Sequence, residues 1–360
     1  MSKPDDKVKN IKVGISHGDI NGIGYEVIIK AFRDPRIMEL FTPVVYGSSK
    51  AASYHRKAIN LQDFSFNIIK SADQINPKKA NLINCCEKEV KIELGKSRND
   101  AGEMALKSLE EAVEGLKKDE VQILVTAPIN KHNIQSEDFK FPGHTEYLAE
   151  KFGSKTPLML LVCDNLRLGV VTGHIPLKDV SVALTEETIM EKLRIMNESL
   201  KVDFGIRKPK IALLGLNPHA GDEGLLGSED GEIILPTVKK AFDEEILAFG
   251  PYPADGFFGS QAYKNFDGVL AMYHDQGLIG FKTVAFKSGV NYTAGLPVVR
   301  TSPAHGTAYD IAGKNVSSPE SFLSAIYLGI DIYKNRKMHE ELTKNPLKKA
   351  EPENNNKVTS

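Results

Sequence analysis

The chain has 360 residues, 41% hydrophobic and 26% charged, with 46 Lys plus Arg against 47 Asp plus Glu and a net charge of -1. That is an ordinary globular balance, long enough for two domains, and it excludes a chain built to coat nucleic acid or an anionic membrane. Three cysteines with no CxxC pair, a charged N-terminus without an apolar core, and no apolar stretch near the ~20 residues of a membrane span point to a reduced, cytoplasmic setting.

Ile11 to Ser16 reads as a first strand, running into residues 17–24, HGDINGIG, and then a helix from Tyr25 to Phe32. A strand, a Gly-rich turn and a helix resemble a phosphate-cradling loop. The spacing is neither GxGxxG nor GxxxxGK[ST], so the glycines serve a ligand or only a tight turn. Pro43 to Tyr46 predicts a second strand and Ser49 to Ile59 a helix. The alternations Phe64, Phe66, Ile68 and Val90, Ile92, Leu94 suit edge strands or a hairpin. Asn99 or Asp100 is placed to cap a helix with Leu109, Ala112, Val113 and Leu116 on its apolar face. Val121 to Thr126 is a buried strand that ends in a polar run, Asn130-Lys131-His132.

Next comes FPGHTE, residues 141–146, before a helix from Tyr147. A His-Thr pair at a helix start offers donors to an anion, unless Thr145 is a plain cap. Leu158 to Cys163 and Leu168 to Thr172 form a hairpin around Asn165. Thr185 caps a helix whose inner face is Ile189, Leu193, Met196 and Leu200. Ile211 to Leu216 is a strand, residues 221–230 a loop, and a helix begins near Glu232. Residues 250–256, GPYPADG, make a rigid turn whose Asp255 carboxylate faces a site or caps Phe257.

The stretch 268–314 is the densest in chemistry. Val269 to Tyr273 is a buried strand, with His274 and Asp275 at its end. Lys282, Asn291 and Arg300 follow along Gly-rich connections, and His305, Gly306, Thr307 and Asp310 close the stretch. Polar groups just beyond buried strands are where open α/β sheets place their sites. Pro319 to Tyr333 predicts a final amphipathic helix, and the polar residues beyond it end in a disordered tail. Three apolar runs, LGVVT, IALLGL and VLAMY, are each followed within a few residues by a histidine: His174, His219 and His274. On parallel strands these converge at one sheet edge, where three neutral imidazoles with open positions suit a catalytic divalent metal. His17 and His132 sit in similar places and compete for that role.

The blocks GDINGIG, TAPINK, FPGHTEYLA, VTGHIPL, LNPHAGDEG, GPYPAD, YHDQG and GVNYTAGLPVVRTSPAHGTAYDIAG follow one another along nearly the whole chain. Together they resemble the 4-hydroxythreonine-4-phosphate dehydrogenase family of vitamin B6 biosynthesis. The closing block also resembles HGSAPDIAGK of isocitrate and isopropylmalate dehydrogenases. One departure is visible: the family's first block usually reads GDPAGIGPE, whereas Ile20, Asn21 and Tyr25 stand here.

The resemblance implies an α/β, isopropylmalate-dehydrogenase-like fold, with two α/β/α domains flanking an active-site cleft. The expected division is 1–130 plus 292–345 on the cofactor side, 131–291 for metal ligands and dimerisation, and a tail at 346–360. It implies a homodimer with each site built from both subunits. The family's metal ligands fall on His174, His219 and His274, and its substrate contacts on His144, Thr145, Lys282, Asn291 and Arg300. The cofactor's adenosine half falls on His305, Gly306, Thr307 and Asp310. The implied reaction is NAD-dependent rather than NADP-dependent oxidation of 4-phosphohydroxy-L-threonine. Its β-keto acid product decarboxylates to 3-amino-2-oxopropyl phosphate, with Zn, Mg, Co or Mn as the divalent metal. Lys282, or failing that Asp255, is the expected proton carrier. The rival readings are a paralogue acting on D-threonate or D-erythronate 4-phosphate, and a non-catalytic phosphometabolite-binding protein.

Overall fold

The computed structural model describes residues 10–86 and 90–345. The expected disordered tail lies outside them. In the first part of the chain, β1 (Lys12–Ser16), α1 (Gly24–Ala31), β2 (Thr42–Gly47), α2 (Ser49–Ala58), β3 (Asn67–Ile69), β4 (Asn81–Asn84), α3 (Asn99–Lys117) and β5 (Ile123–Thr126) alternate strand and helix. The middle holds α4 (His144–Lys151), β6 (Leu158–Cys163), β7 (Leu166–Thr172), α5 (Val180–Ala183), α6 (Glu186–Val202), β8 (Lys210–Leu214) and α7 (Leu235–Asp243). The last part holds β9 (Leu247–Tyr252), α8 (Ala254–Gly259), β10 (Gly268–Tyr273), α9 (His274–Ala285), β11 (Val290–Ala294), β12 (Val299–Pro303) and α10 (Glu320–Thr343).

Among the described residues, twelve strands join one sheet in the order β3-β4-β2-β1-β5-β12-β11-β6-β7-β10-β8-β9. The first six are parallel to one another. The last four, β7-β10-β8-β9, form a second parallel block. Between the blocks the chain makes three antiparallel steps, β12 to β11, β11 to β6 and β6 to β7, so the two blocks run in opposite directions. A boundary between 291 and 292 would fall inside β11, one of the two joining strands.

Parallel strands covered by helices on both faces must be apolar on both sides. Accordingly Val13 and Ile15 of β1 and Ile123, Leu124 and Val125 of β5 are all fully buried. Helix α3 buries Leu109, Ala112, Val113 and Leu116 as its periodicity predicts. Helix α6 buries its whole expected inner face, and its first turn closes a reciprocal cap. Thr185 Oγ1 accepts from Thr188 N at 3.1 Å, and Thr188 Oγ1 accepts from Thr185 N at 2.9 Å.

Several expectations are corrected. Residues 90–94 form no strand, because their backbone is tied to the first Gly-rich loop instead. Glu93 N donates to Asn21 Oδ1 and Gly95 N to Asn21 O, both at 2.8 Å. Helix α3 is capped at Arg98, not at Asn99 or Asp100, which lie inside it. Lys282, Asn291 and Arg300 stand on α9, β11 and β12 rather than on connections. Helix α10 runs ten residues past the expected end at Tyr333, with its added turns largely exposed and carrying surface ion pairs such as Lys337–Glu340.

Candidate active site

A cavity of about 610 Å³ is walled by strands from the centre of the sheet and by the loops and helices that follow them. Arg300 is its deepest charge. Strand β12 lies between β5 and β11, so this side chain is taken out of water and is only 2% exposed. Hydroxyls on the two flanking strands hold the guanidinium. Nε and Nη2 donate to Thr126 Oγ1 at 3.2 and 2.6 Å, and Nη1 donates to Thr293 Oγ1 at 3.2 Å. Three of its five N–H groups are thus used, and no carboxylate pairs with it among the described residues. Burial lowers its pKa to about 10, which leaves it cationic at neutral pH. A buried cation with spare donors is costly unless an anion completes it.

Three buried polar atoms in the same wall also have no partner: His144 Nε2, Asn291 Oδ1 and His305 Nε2. Burial, then the charges of Arg300 and Lys131, hold His144 well below the usual histidine range, so its ring is neutral. His305 is likewise pushed down by burial, and its Nδ1 faces Gly306 O at 3.1 Å. A carbonyl only accepts, so the proton sits on Nδ1 and Nε2 is a bare acceptor. Thr145 lines the cavity from the first turn of α4. It is not the cap of that helix, which begins after Gly143 with no side-chain cap.

The three candidate metal ligands follow β7, β10 and β8, which are adjacent and parallel, so their carboxyl ends share one edge. Register pairs Thr172 with Tyr273, and the histidines just beyond meet. The His174 and His274 ring centroids are 5.7 Å apart within one chain. His274 Nδ1 donates to Asp275 Oδ1 at 2.6 Å, which leaves Nε2 free as an acceptor. Burial, then Lys131, depresses the His174 pKa. This pair suits a divalent ion in donor type.

His219 is exposed and does not line the cavity. It opens a run of six residues, His219 to Gly224, with positive φ, a conformation that the side chains of its four non-glycine members resist. Among the described residues no three His, Cys, Asp or Glu side chains converge as a metal-holding group. The competing His17 is a core residue: it stacks on Tyr25 at 4.9 Å, and its Nδ1 bonds Gly18 O at 2.7 Å. His132 is exposed outside the cavity.

Lys282 reaches the cavity from α9. Asp255, exposed on α8, does not. Gly306 lines the cavity, whereas Thr307 and Asp310 continue beyond it. The sequence reading missed three charged wall residues: Lys131, Glu146 and Lys192. Lys131 and Glu146 sit inside quoted blocks, TAPINK and FPGHTEYLA, and their position after a strand end or at a helix start was the available signal. Lys192 lies mid-helix on α6, donates to Pro157 O at 3.0 Å, and carried no signal. The described wall therefore sets four cations, Lys131, Lys192, Lys282 and Arg300, against one carboxylate, Glu146.

The family described as "Pyridoxal phosphate biosynthetic protein PdxA" matches residues 39–329. A 4-hydroxythreonine-4-phosphate dehydrogenase of Bacteroides thetaiotaomicron is 53% identical over 340 residues, 94% of this chain and 93% of its own. An Oceanobacillus iheyensis relative, provisionally named a D-threonate 4-phosphate dehydrogenase, is 36% identical over 89% of this chain and 97% of its own. Among solved structures, the 4-hydroxythreonine-4-phosphate dehydrogenase of Klebsiella pneumoniae superposes with a TM-score of 0.76 at 31% identity, covering 90% of this chain and 99% of that one. The α/β architecture is the one those relatives share, and no helix among the described residues is long and apolar enough to cross a membrane. With motif blocks, sheet and cavity in agreement, the chain belongs to the PdxA family of pyridoxal phosphate biosynthetic proteins, the 4-hydroxythreonine-4-phosphate dehydrogenases.

Proposed function

We propose that the chain oxidises 4-phosphohydroxy-L-threonine with NAD to a β-keto acid that loses carbon dioxide, giving 3-amino-2-oxopropyl phosphate. The observation that carries this reading is the wall of four cations, among them the buried Arg300, which no carboxylate pairs among the described residues. That wall suits a small molecule bearing both a phosphate and a carboxylate. Arg300 and Lys282 neutralise the two anions. His144, Thr145 and Asn291 orient the polar groups between them, with Asn291 Oδ1 accepting from a substrate N–H or O–H group. Glu146 is the counterpart for the substrate ammonium. Lys282 is placed to take or return a proton.

A divalent ion, Zn, Mg, Co or Mn, would be held by His174 and His274, with His219 as third ligand. Such an ion, when bound, raises the acidity of an alcohol and polarises a ketone. We place the adenosine half of the dinucleotide on His305, Gly306, Thr307 and Asp310, on the side formed by residues 1–130 and 292–345. His219 and Asp255 lie outside this chain's cavity, so we assign them to a site completed in a homodimer.

The test is NADH formation with 4-phosphohydroxythreonine beside D-threonate and D-erythronate 4-phosphates, with carbon dioxide release followed in parallel. A preference on the order of tenfold or more for the amino substrate is expected. A preference for threonate would favour the second reading, which the Oceanobacillus iheyensis relative's name supports.

A further inference from the structure

Asp19 has no part in the chemistry above, yet it is fully buried. Its Oδ1 accepts from Asn21 N at 2.8 Å, and its Oδ2 accepts from Asn133 Nδ2 and from Tyr309 Oη, each at 2.7 Å. Asn133 and Tyr309 also approach each other at 3.4 Å. All three donors to this carboxylate are neutral, and they come from three distant parts of the sequence.

Those parts leave the sheet together. The loops after β1, β5 and β12 carry Asp19, Asn133 and Tyr309, and these strands are adjacent and parallel, so their carboxyl ends lie on one edge. Backbone bonds tie the same three loops: Asp19 N donates to Pro128 O at 2.9 Å and Ile23 N to Thr307 O at 3.1 Å. The fit is close enough to require glycine. A Cβ on Gly18, at φ +71, would meet Pro128 O at 2.3 Å, and one on Gly22 would meet Thr307 O at 2.8 Å. Two of the loops then furnish parts of the cavity wall. Pro128 and Lys131 come from one, and His305 and Gly306 from the other.

We propose that Asp19 is a positioning residue that, through the Tyr309 hydroxyl, holds the 305–310 segment in the conformation that receives the dinucleotide. This rests on the proposed placement of the cofactor on that segment. A phenol-to-carboxylate bond is charge-assisted and directional, and in a buried site its loss leaves a carboxylate lone pair without a donor. Arg300 and Asn291 are held by strands and not by this node, so the part of substrate anchoring that they supply is independent of it.

The test compares wild type, Tyr309→Phe and Asp19→Asn as full-length proteins. NADH binding is titrated by fluorescence, and both KM values are measured. Tyr309→Phe should raise the NADH Kd and the cofactor KM about five- to twentyfold, while the KM for the phosphorylated substrate moves less than about twofold. Asp19→Asn should do at least as much. An unchanged NADH Kd in folded Tyr309→Phe overturns the proposal, and so does an equal rise in both KM values, the mark of general loosening. Should Asp19→Asn fail to fold, Tyr309→Phe still decides, since it removes one oxygen and leaves the ring. A wild type that binds neither NADH nor NADPH would instead remove the cofactor placement itself, and the proposal with it.

Discussion

Lys131 Nζ lies 3.3 Å from His174 Nε2, an ammonium against an imidazole in the cavity wall. Burial first, and this ammonium second, hold the His174 ring neutral. Taking the charge away removes one of the two main causes of the depression. In metal-free Lys131→Met, the His174 pKa should therefore rise toward the ordinary value, as followed by NMR of the ring protons. The same variant deprives the substrate of one of four cations, so kcat/KM should fall about tenfold or more. An unmoved His174 titration would show that Lys131 does not act on it in solution.

Arg300 is the charge least able to tolerate replacement. Arg300→Ala leaves the bound anion without its buried partner and should cost roughly 2–4 kcal/mol, on the order of 30- to 1000-fold in kcat/KM. Arg300→Lys keeps the charge but not the planar fork that spans Thr126 and Thr293, and should recover only part of the loss. Thr126→Val removes the acceptor of two guanidinium N–H groups while keeping the shape of the side chain. Its defect should be smaller and lie mainly in substrate KM. A Thr126→Val enzyme with a normal substrate KM would argue that the β5 hydroxyl does not orient the guanidinium.

Periodicity was a good guide wherever an element buries a continuous face. Val13 and Ile15, the α3 face at Leu109, Ala112, Val113 and Leu116, and the α6 face from Ile189 to Leu200 were all legible for that reason. It failed where polar residues occupy buried positions. Strand β4 reads Asn-Leu-Ile-Asn, and the fully buried Asn81 gives its amide to Pro43 O and Asn76 O, so a real strand lacked an apolar signature. Val90, Ile92 and Leu94 alternate like a strand, but Asn21 claims the nearby backbone. The same division runs through the site. Arg300, His144 and Asn291 were legible because anion-binding types recur in quoted blocks. Lys192 was not, since its place in the wall comes only from α6 bordering the cavity, a relation between distant segments.

His55 gives a prediction about stability. It is fully buried, its Nε2 donates to Ile20 O at 2.7 Å, and burial pushes its pKa down to about 4. The unfolded chain titrates this side chain near 6.5. Between those two pH values the unfolded state takes up a proton that the folded state refuses. Stability therefore falls as pH drops below about 6.5, by about 1.4 kcal/mol per pH unit, to a total of roughly 3 kcal/mol near pH 4. Above about 6.5 this residue contributes no slope. His55→Gln retains an N–H for Ile20 O and should flatten the acid limb of a denaturant-midpoint profile by about that amount. His144, depressed in the same direction, adds to the wild-type slope and remains in the variant. Equal acid slopes in the two proteins would show that His55 protonates without unfolding.

Lys282 separates anion binding from proton transfer. It stands on the solvent side of α9, lines the cavity, and has no hydrogen-bond partner among the described residues. Its chain is thus free to follow a substrate. As a clamp it needs only its charge, and Lys282→Arg should then work almost as well as wild type. As a proton carrier it must release a proton near neutrality, which arginine does not. The expected result is that Lys282→Arg keeps a near-normal substrate KM but loses kcat as severely as Lys282→Ala, while Lys282→Ala also raises KM. A Lys282→Arg enzyme with near-normal turnover and the wild-type pH profile would confine Lys282 to a clamp. The carrier would then be sought at Asp255, whose exposure on α8 outside this chain's cavity leaves it available to the site of a second copy.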